Sequence, residues 1–419
     1  MRRLLKVRDA RVYLTGQVFS LFGDTALWLA MGIWVKTLTG SNAAAGLVFF
    51  FANAPVLLAP LTGLLVDRVR RRPLLIAVSA ATGGAVLLLL LVHGRGQVWL
   101  VYLVMTWYGL AYSVLGAAQS ALLTTMLPAD LLADANGALR TVQESLRLAG
   151  PLTGAGLFVL AGAHTVAILD AATFAVPVVC LLGLRVREPA PQPRRSHWRA
   201  ELTAGVRHLA RTPALRHLVI AAACAMAAFG FTETVIYAVA GTGLHEPPAF
   251  VGVLVAVQGA GAVVGGPTAA PLVRRIGEGR LVGLGMGLAG VAALLEIPPF
   301  LPSVLAGVIL FGVSIPWLVV GFTTLLQRLT PPELQGRVYA AADILVTTPQ
   351  TVSIAVGAGL IGVTGYRPLL AALAVVVALA ATYLLTRPEQ RQLQQRQLQQ
   401  GQPKQGQLET QDAGGVTSS

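Results

Sequence analysis

The chain has 419 residues, of which 55% are hydrophobic and 12% charged, with a mean hydropathy of +0.69. Soluble domains carry about 25% charged residues and disordered chains are poor in apolar ones, so neither class fits the chain as a whole. Basic residues nevertheless outnumber acids by 31 to 18, a net charge of +13, and the two cysteines, Cys180 and Cys224, lie in apolar stretches that exclude a secreted disulfide scaffold.

Apolar runs fill most of the sequence, and in chain order they predict twelve membrane spans: 12–35, 44–66, 74–93, 98–126, 138–162, 166–184, 217–240, 249–272, 281–299, 301–327, 338–362 and 367–386. About 20 apolar residues suffice to cross a hydrocarbon core. Spans 4 and 10 are longer than that, which tilt accommodates. The first run is not a signal peptide, because it is too long, holds Asp24 at its middle and lacks a small-residue cleavage site.

The positive charge maps the topology. Assigning the basic residues to the turns between spans puts 27 of the 31 on one side, three (Lys36, Arg95, Arg367) on the other and one, Arg147, inside span 5. By the positive-inside rule both termini are cytoplasmic. A nucleic-acid partner is not expected, since the charges are dispersed over seven short segments with few aromatics between them.

The expected fold is therefore an all-α membrane protein with twelve transmembrane helices in two six-helix bundles. Residues 1–184 form the first bundle, 185–215 a cytoplasmic linker, 216–386 the second bundle and 387–419 a disordered Gln-rich tail. In the linker, Glu188-Pro-Ala-Pro-Gln-Pro193 reads as stiff and extended, and Trp198 to Leu209 as an amphipathic helix on the membrane surface. The halves repeat weakly. A shift of 203 positions superposes Leu122, Leu123, Pro128, Asp130 and Leu131 on Leu325, Leu326, Pro331, Glu333 and Leu334. Parallel six-span repeats are a transporter architecture with the substrate path between them.

Six acids fall within predicted spans: Asp24, Glu144, Asp170, Glu233, Glu296 and Asp343. A charged residue at the bilayer centre costs roughly 2.5–3.5 kcal/mol on insertion scales and is usually paired or functional. Position along each span separates them. Asp24 is midway, Glu144 and Asp343 lie toward the inner side, Asp170 and Glu233 toward the outer side, and Glu296 at the outer mouth. Gln17, Ser20, Asp24 and Trp28 make one helical stripe suited to a cavity wall. Asp24, Glu144 and Arg147 are candidates for a proton-coupling network, or for a permanent ion pair that holds the first bundle together. Glu233 and Tyr237, with Phe229 below them, form an acid-plus-aromatic wall suited to a cationic solute. Tyr108, Tyr112, Trp317 and Asp343 complete the cavity candidates, although aromatics also anchor membrane interfaces.

Gly63-Leu-Leu-Val-Asp67-Arg68-Val-Arg70-Arg71-Arg72 resembles the signature loop between spans 2 and 3 of the major facilitator superfamily, with Arg70 where that pattern usually has Gly. Together with Gly16-Gln17, Ser20-Leu-Phe-Gly-Asp24, Pro55, Pro60 and Leu325-Leu-Gln-Arg328-Leu-Thr-Pro-Pro-Glu333, it is similar to the drug:proton antiporter branch that includes macrolide-efflux proteins and the enterobactin exporter. The resemblance implies that Gly63, Asp67, Arg68, Arg71 and Arg72 form a cytoplasmic gate loop; a topogenic basic cluster with a local ion pair is the plainer reading. Pro271 to Arg280, the corresponding loop of the second half, has Arg274 in place of the acid. Gly150-Pro151-Leu-Thr-Gly154 resembles the superfamily's antiporter motif, or serves as a plain small-residue helix interface.

No metal-ligand spacing, nucleophile elbow or phosphate-cradling loop appears, so no enzyme and no metal is expected. The expectation is a monomeric exporter in a bacterial cytoplasmic membrane, in contact with lipid and a small-molecule substrate, with no cofactor and a proton gradient as its energy source. An importer or uniporter of a metabolite and a lysophospholipid flippase are the rival readings.

Overall fold

The computed structural model describes residues 6–58, 62, 66, 68–186, 188 and 198–387, with backbone alone at 129, 130, 133, 140, 141, 144, 147, 148 and 198–201. Among these residues every regular element is helical. The chain runs through α1 (Arg8–Thr39), α2 (Asn42–Asn53, continued by a tight turn Ala54–Leu58), α3 (Arg71–Leu87), α4 (Val98–Met126) and α5 (Ala129–Leu182). It continues through α6 (Trp198–Arg211), α7 (Pro213–Phe229), α8 (Thr232–Ala238), α9 (Phe250–Ile276), α10 (Glu278–Leu295), α11 (Leu301–Arg328), α12 (Gln335–Thr364) and α13 (Tyr366–Thr386). Ten helices are long and apolar enough to cross a membrane, and Asn42–Leu58 is a shorter apolar one. The protein is a multi-pass membrane protein.

The 54 residues of α5 would span about 80 Å if straight, far beyond one hydrocarbon core. Gly162 breaks the helix with φ +81 and ψ 169, a backbone conformation open essentially to glycine alone. The contacts on either side show that the chain reverses there. Gly150 and Gly154 lie against Thr25 and Ala26 of α1, whereas Asp170 lies against Gly23, and Pro177 and Cys180 against Gly16. The first limb of α5 thus ascends α1 and the second descends it, at the boundary the hydropathy pattern predicts.

Two ends of the bundle follow from the turns. At the upper end, where α1 finishes, Arg95 donates to the Thr39 carbonyl, His164 Nε2 lies 2.9 Å from the Val92 carbonyl, and Tyr366 donates to Ile297. At the lower end, where α1 begins, Arg8 donates to Gly183 and Arg328 pairs with Glu278. Lys36, Arg95 and Arg367 sit at the upper end, and the other described basic side chains lie at lower-end helix termini and turns.

The helices before residue 189 carry their own apolar cores, one around Met31, Met105 and Phe174 and one around Tyr13, Leu122 and Leu181. The helices after residue 198 share a third, which also takes in Leu29, Ile33, Ala45, Phe49 and Ala155 of the first group. These five lie in the upper part of the bundle, so the two groups are joined there by one continuous apolar core. Glycines permit the close approach. Gly32 faces the Tyr237 ring, Gly46 faces Thr234, and Gly252 faces Ala155.

Three boundaries depart from expectation. In the second span, expected at 44–66, regular α-helix is interrupted by the 3-10 turn Ala54–Leu58, and Thr62 and Val66 beyond it are helical again. The ninth was expected to reach 299 and ends at Leu295, because Pro298 and Pro299 offer no N–H to continue the ladder. The helix expected over Trp198–Leu209 extends to Arg211. It packs against the second group, with Gly205 on the Arg337 carbonyl and His208 at 3.2 Å from the Leu329 carbonyl. Residues 189–197 and those after Arg387, including the Gln-rich tail, lie outside the described residues.

Candidate transport site

The middle of the first group holds the most unusual chemistry. Asp24, half-buried on α1, accepts a hydrogen bond from the Tyr108 hydroxyl of α4. Asp170, on the descending limb of α5, is 1% exposed and lies within electrostatic reach of both Asp24 and Tyr108. A Cβ on Gly23 would stand 2.5 Å from the Asp170 carboxyl, so only glycine leaves room for it beside Asp24. Neither carboxyl oxygen of Asp170 has a hydrogen-bond partner. The Thr173 hydroxyl donates to the Asp170 main-chain carbonyl at 2.7 Å instead. Among the described residues no Lys or Arg pairs with either acid.

Asp170 is placed differently from expectation. Counting along its span set it toward the outer side and apart from Asp24, but the crossing of α5 over α1 brings the two acids to the same level. A signal was present in the sequence. Ala163, Ala167, Asp170, Phe174 and Pro177 share one helical face, a face of small and ring side chains suited to burial, and all five are buried.

The polar stripe of α1 faces protein. Gln17 is buried and accepts from Gln119 of α4 at 3.0 Å, and Ser20 is buried one turn above. Trp28 tilts against Phe49 of α2 at 5.6 Å, and Phe49 stacks on Tyr237 at 6.3 Å. Three helices from both groups therefore carry one aromatic chain, Trp28–Phe49–Tyr237. Tyr237 is 1% exposed, and its hydroxyl and that of Thr234 are buried without partners against Gly32 and Gly46. Glu233 occupies the first turn of α8 and is half-buried. Phe229 turns away from this chain and meets Phe311 of α11 edge-on at 5.3 Å. Trp317 donates to Thr268 of α9 at 2.8 Å. Tyr112 and Asp343 are exposed, on α4 and α12.

Of the loop between the second and third spans, Gly63 and Asp67 lie outside the described residues. Arg68 is exposed. Arg72 donates to the carbonyls of Leu181 and Leu182 at 2.7 and 2.9 Å, satisfying the frayed end of α5. Glu188 accepts from the backbone N–H groups of both Arg71 and Arg72 at 2.7 Å. This carboxylate caps the positive end of α3 and ties the loop to the start of the linker. In the corresponding loop after α9 the acid is Glu278, 4% exposed and paired with Arg328 at 2.7 Å. Both contacts were missed in the sequence.

Gly150, Pro151 and Gly154 sit where α5 meets both α1 and α9. Gly150 and Gly154 press on Thr25 and Ala26, while the Pro151 carbonyl comes within 3.8 Å of a Cβ placed on Gly252. Arg147 and Glu144 precede this contact by about one and two turns on the α5 backbone; their side chains lie outside the described residues.

The sequence profile described as Major Facilitator Superfamily matches residues 13–245 and 218–411. The chain is similar to the uncharacterized MFS-type transporter YfiS of Bacillus subtilis, 25% identical over 366 residues, covering 82% of this chain and 84% of the relative. It is similar as well to the enterobactin exporter EntS of Citrobacter koseri, 26% identical over 376 residues and 86% of each chain. Among solved structures, a bacterial homologue of the iron transporter ferroportin in its inward-facing state superposes with a TM-score of 0.70 at 15% identity, over 91% of this chain and 99% of that one. An outward-facing structure of a bacterial ferroportin homologue with soaked iron superposes at 0.60 and 16% identity, over 90% and 99%.

Proposed function

Because the chain belongs to the major facilitator superfamily and is a membrane transporter, we propose that it is a proton-coupled exporter of drug-like or natural-product molecules, of the antibiotic, macrolide or siderophore class. The observation that carries the reading is Asp24, a carboxyl set in the middle of a membrane span with a tyrosine donor and no cation beside it among the described residues. A permanent structural acid would be neutralised by a fixed partner, whereas a coupling acid must gain and lose a proton during the cycle. Glu144 and Arg147 sit on the limb of α5 that packs against α1 and belong to the same proposed network. The likeness to EntS supports the outward direction.

In this reading twelve helices form two six-helix bundles, residues 1–184 and 216–386, joined by the linker 185–215, with both termini and the basic lower end in the cytoplasm. The apolar core that joins the bundles at the upper end supports reading this as an inward-facing conformation, closed toward the outside. The higher TM-score to the inward-facing relative agrees with that assignment. Substrate enters from below against Gln17, Ser20, Trp28, Tyr108 and Tyr112 on one side and Phe229, Glu233, Tyr237, Trp317 and Asp343 on the other. Rocking of the bundles breaks the Gly32–Tyr237 and Gly46–Thr234 contacts and releases the substrate outside. The loop containing Asp67, Arg68, Arg71 and Arg72 then latches the lower end. The protein acts as a monomer without a cofactor.

The test is overexpression in a pump-deficient bacterial host challenged with a macrolide, a tetracycline, ethidium and a catecholate siderophore. Raised resistance or secretion that disappears in D24N supports export. Raised uptake of a solute would establish an importer, and movement of labelled lysophospholipid alone would establish a flippase.

A further inference from the structure

A proton-coupled carrier needs a group that holds the proton, and the acid best built to do so is not Asp24. We propose that Asp24 and Asp170 bind one proton between them, that Asp170 carries it in the conformation seen here, and that the Tyr108 hydroxyl fixes the choice. The proposal rests on the proton-coupled reading for its purpose, but on the geometry of the pair for its content.

Asp24 accepts the Tyr108 hydroxyl hydrogen, which favours a negative charge there. Neither oxygen of Asp170 makes a hydrogen bond of good geometry, because the one hydroxyl beside it, that of Thr173, gives its single hydrogen to the main-chain carbonyl at 2.7 Å. A buried carboxylate with neither donor nor cation is among the least favourable arrangements in a protein, whereas a neutral carboxyl at the same place costs far less. Two carboxylates within electrostatic reach of each other would also repel. Among the described residues the surroundings offer no cation to change that balance. From α1 the facing titratable group is Asp24, and from α4 it is Tyr108. From α3 the facing residue is Gly83, against Ala171 and Phe174. Lys36, at the upper end of α1, is tied to the Gly40 carbonyl. Arg72 binds the Leu181 and Leu182 carbonyls, about three turns below Asp170 on α5. The side chain of Arg147 lies outside the described residues, on the limb of α5 that adjoins α1.

Asp24 is the partly exposed member of the pair and Asp170 the sealed one. A shift of α1 against α4 breaks the Tyr108 bond and removes the preference for charge on Asp24. The O–H bond on Asp170 then breaks, one forms on Asp24, and the negative charge passes the other way. Asp170 is thus the store and Asp24 the port through which the proton enters or leaves.

The test is infrared difference spectroscopy on the purified full-length protein at pH 7 in lipid nanodiscs, without substrate, in H2O and D2O. Other buried acids cancel in the differences between wild type and variant. The D170N difference should show loss of one protonated-carboxyl C=O band that shifts in D2O, and the D24N difference should show loss of carboxylate bands with the C=O band kept. D170E should restore a C=O band at a displaced frequency, which separates the assignment from misfolding. A D170N difference without that C=O loss overturns the proposal, and so does loss of the band in D24N. If D170N does not fold, D24N alone decides by the same criterion. No transport is measured, so a protein that shows the band yet exports nothing would count against the exporter reading and leave the pair intact.

Discussion

Asp170 and Glu278 are 1% and 4% exposed, nearly equal in burial, and their surroundings are opposite. Glu278 meets Arg328 at 2.7 Å at the lower end, whereas Asp170 meets another acid and a tyrosine. Burial alone therefore does not mark a working acid. The partner does: a fixed cation makes the charge permanent and structural, and its lack leaves the group free to hold a proton. The same division recurs among neutral and capping groups. Glu188 spends both oxygens on the N-terminus of α3, while the Thr234 and Tyr237 hydroxyls are held bare against glycines where the two helix groups must part.

The sharpest way to break this division is at Asp24. D24N should lower export driven by a pH gradient at least ten-fold while leaving exchange of substrate across the membrane in place, measured as flux in proteoliposomes with and without the gradient. The next effect is on stability. E278Q should destabilise the protein by about 3 kcal/mol, because the Arg328 charge loses its partner. The surviving folded molecules should keep the wild-type dependence on the pH gradient, and thermal melting beside flux per folded molecule checks both halves. G46A sets a methyl group against the Thr234 hydroxyl and should disfavour the closed upper end by about 1–3 kcal/mol, as overpacking does. Adding T234A should return most of that loss, a coupling that a double-mutant cycle on transport rate reads directly. The smallest effect is E188A, which removes the cap of α3 and should cost about 1 kcal/mol with no change in coupling, seen as a modest drop in melting temperature.

What could be read in advance divides along physical lines. The spans, the reversal at Gly162 and the helix from Trp198 follow from hydropathy and periodicity, which are local properties. The alignment of Gln17, Ser20, Asp24 and Trp28 on one helical stripe follows from periodicity too, and the structure buries Gln17 and Ser20 of it and half-buries Asp24 and Trp28. Asp170 was misplaced because counting residues from a span end ignores how helices cross, and α5 crosses α1 so that residue 170 meets residue 23. Its buried face was visible as a row of small residues, but the identity of the facing acid was not. Glu188 with Arg71 and Glu278 with Arg328 join residues 117 and 50 positions apart, separations at which no pattern in a single sequence announces a contact.

The most direct test of proton-coupled export uses inside-out membrane vesicles energised by respiration and the compound that scores highest in the resistance panel. Vesicles holding the wild-type protein should accumulate it, lose it when nigericin collapses the pH gradient, and show no gradient-dependent accumulation with D24N. Accumulation that survives nigericin, or that D24N leaves unchanged, would mean that the carboxyl at the centre of α1 does not couple transport to protons.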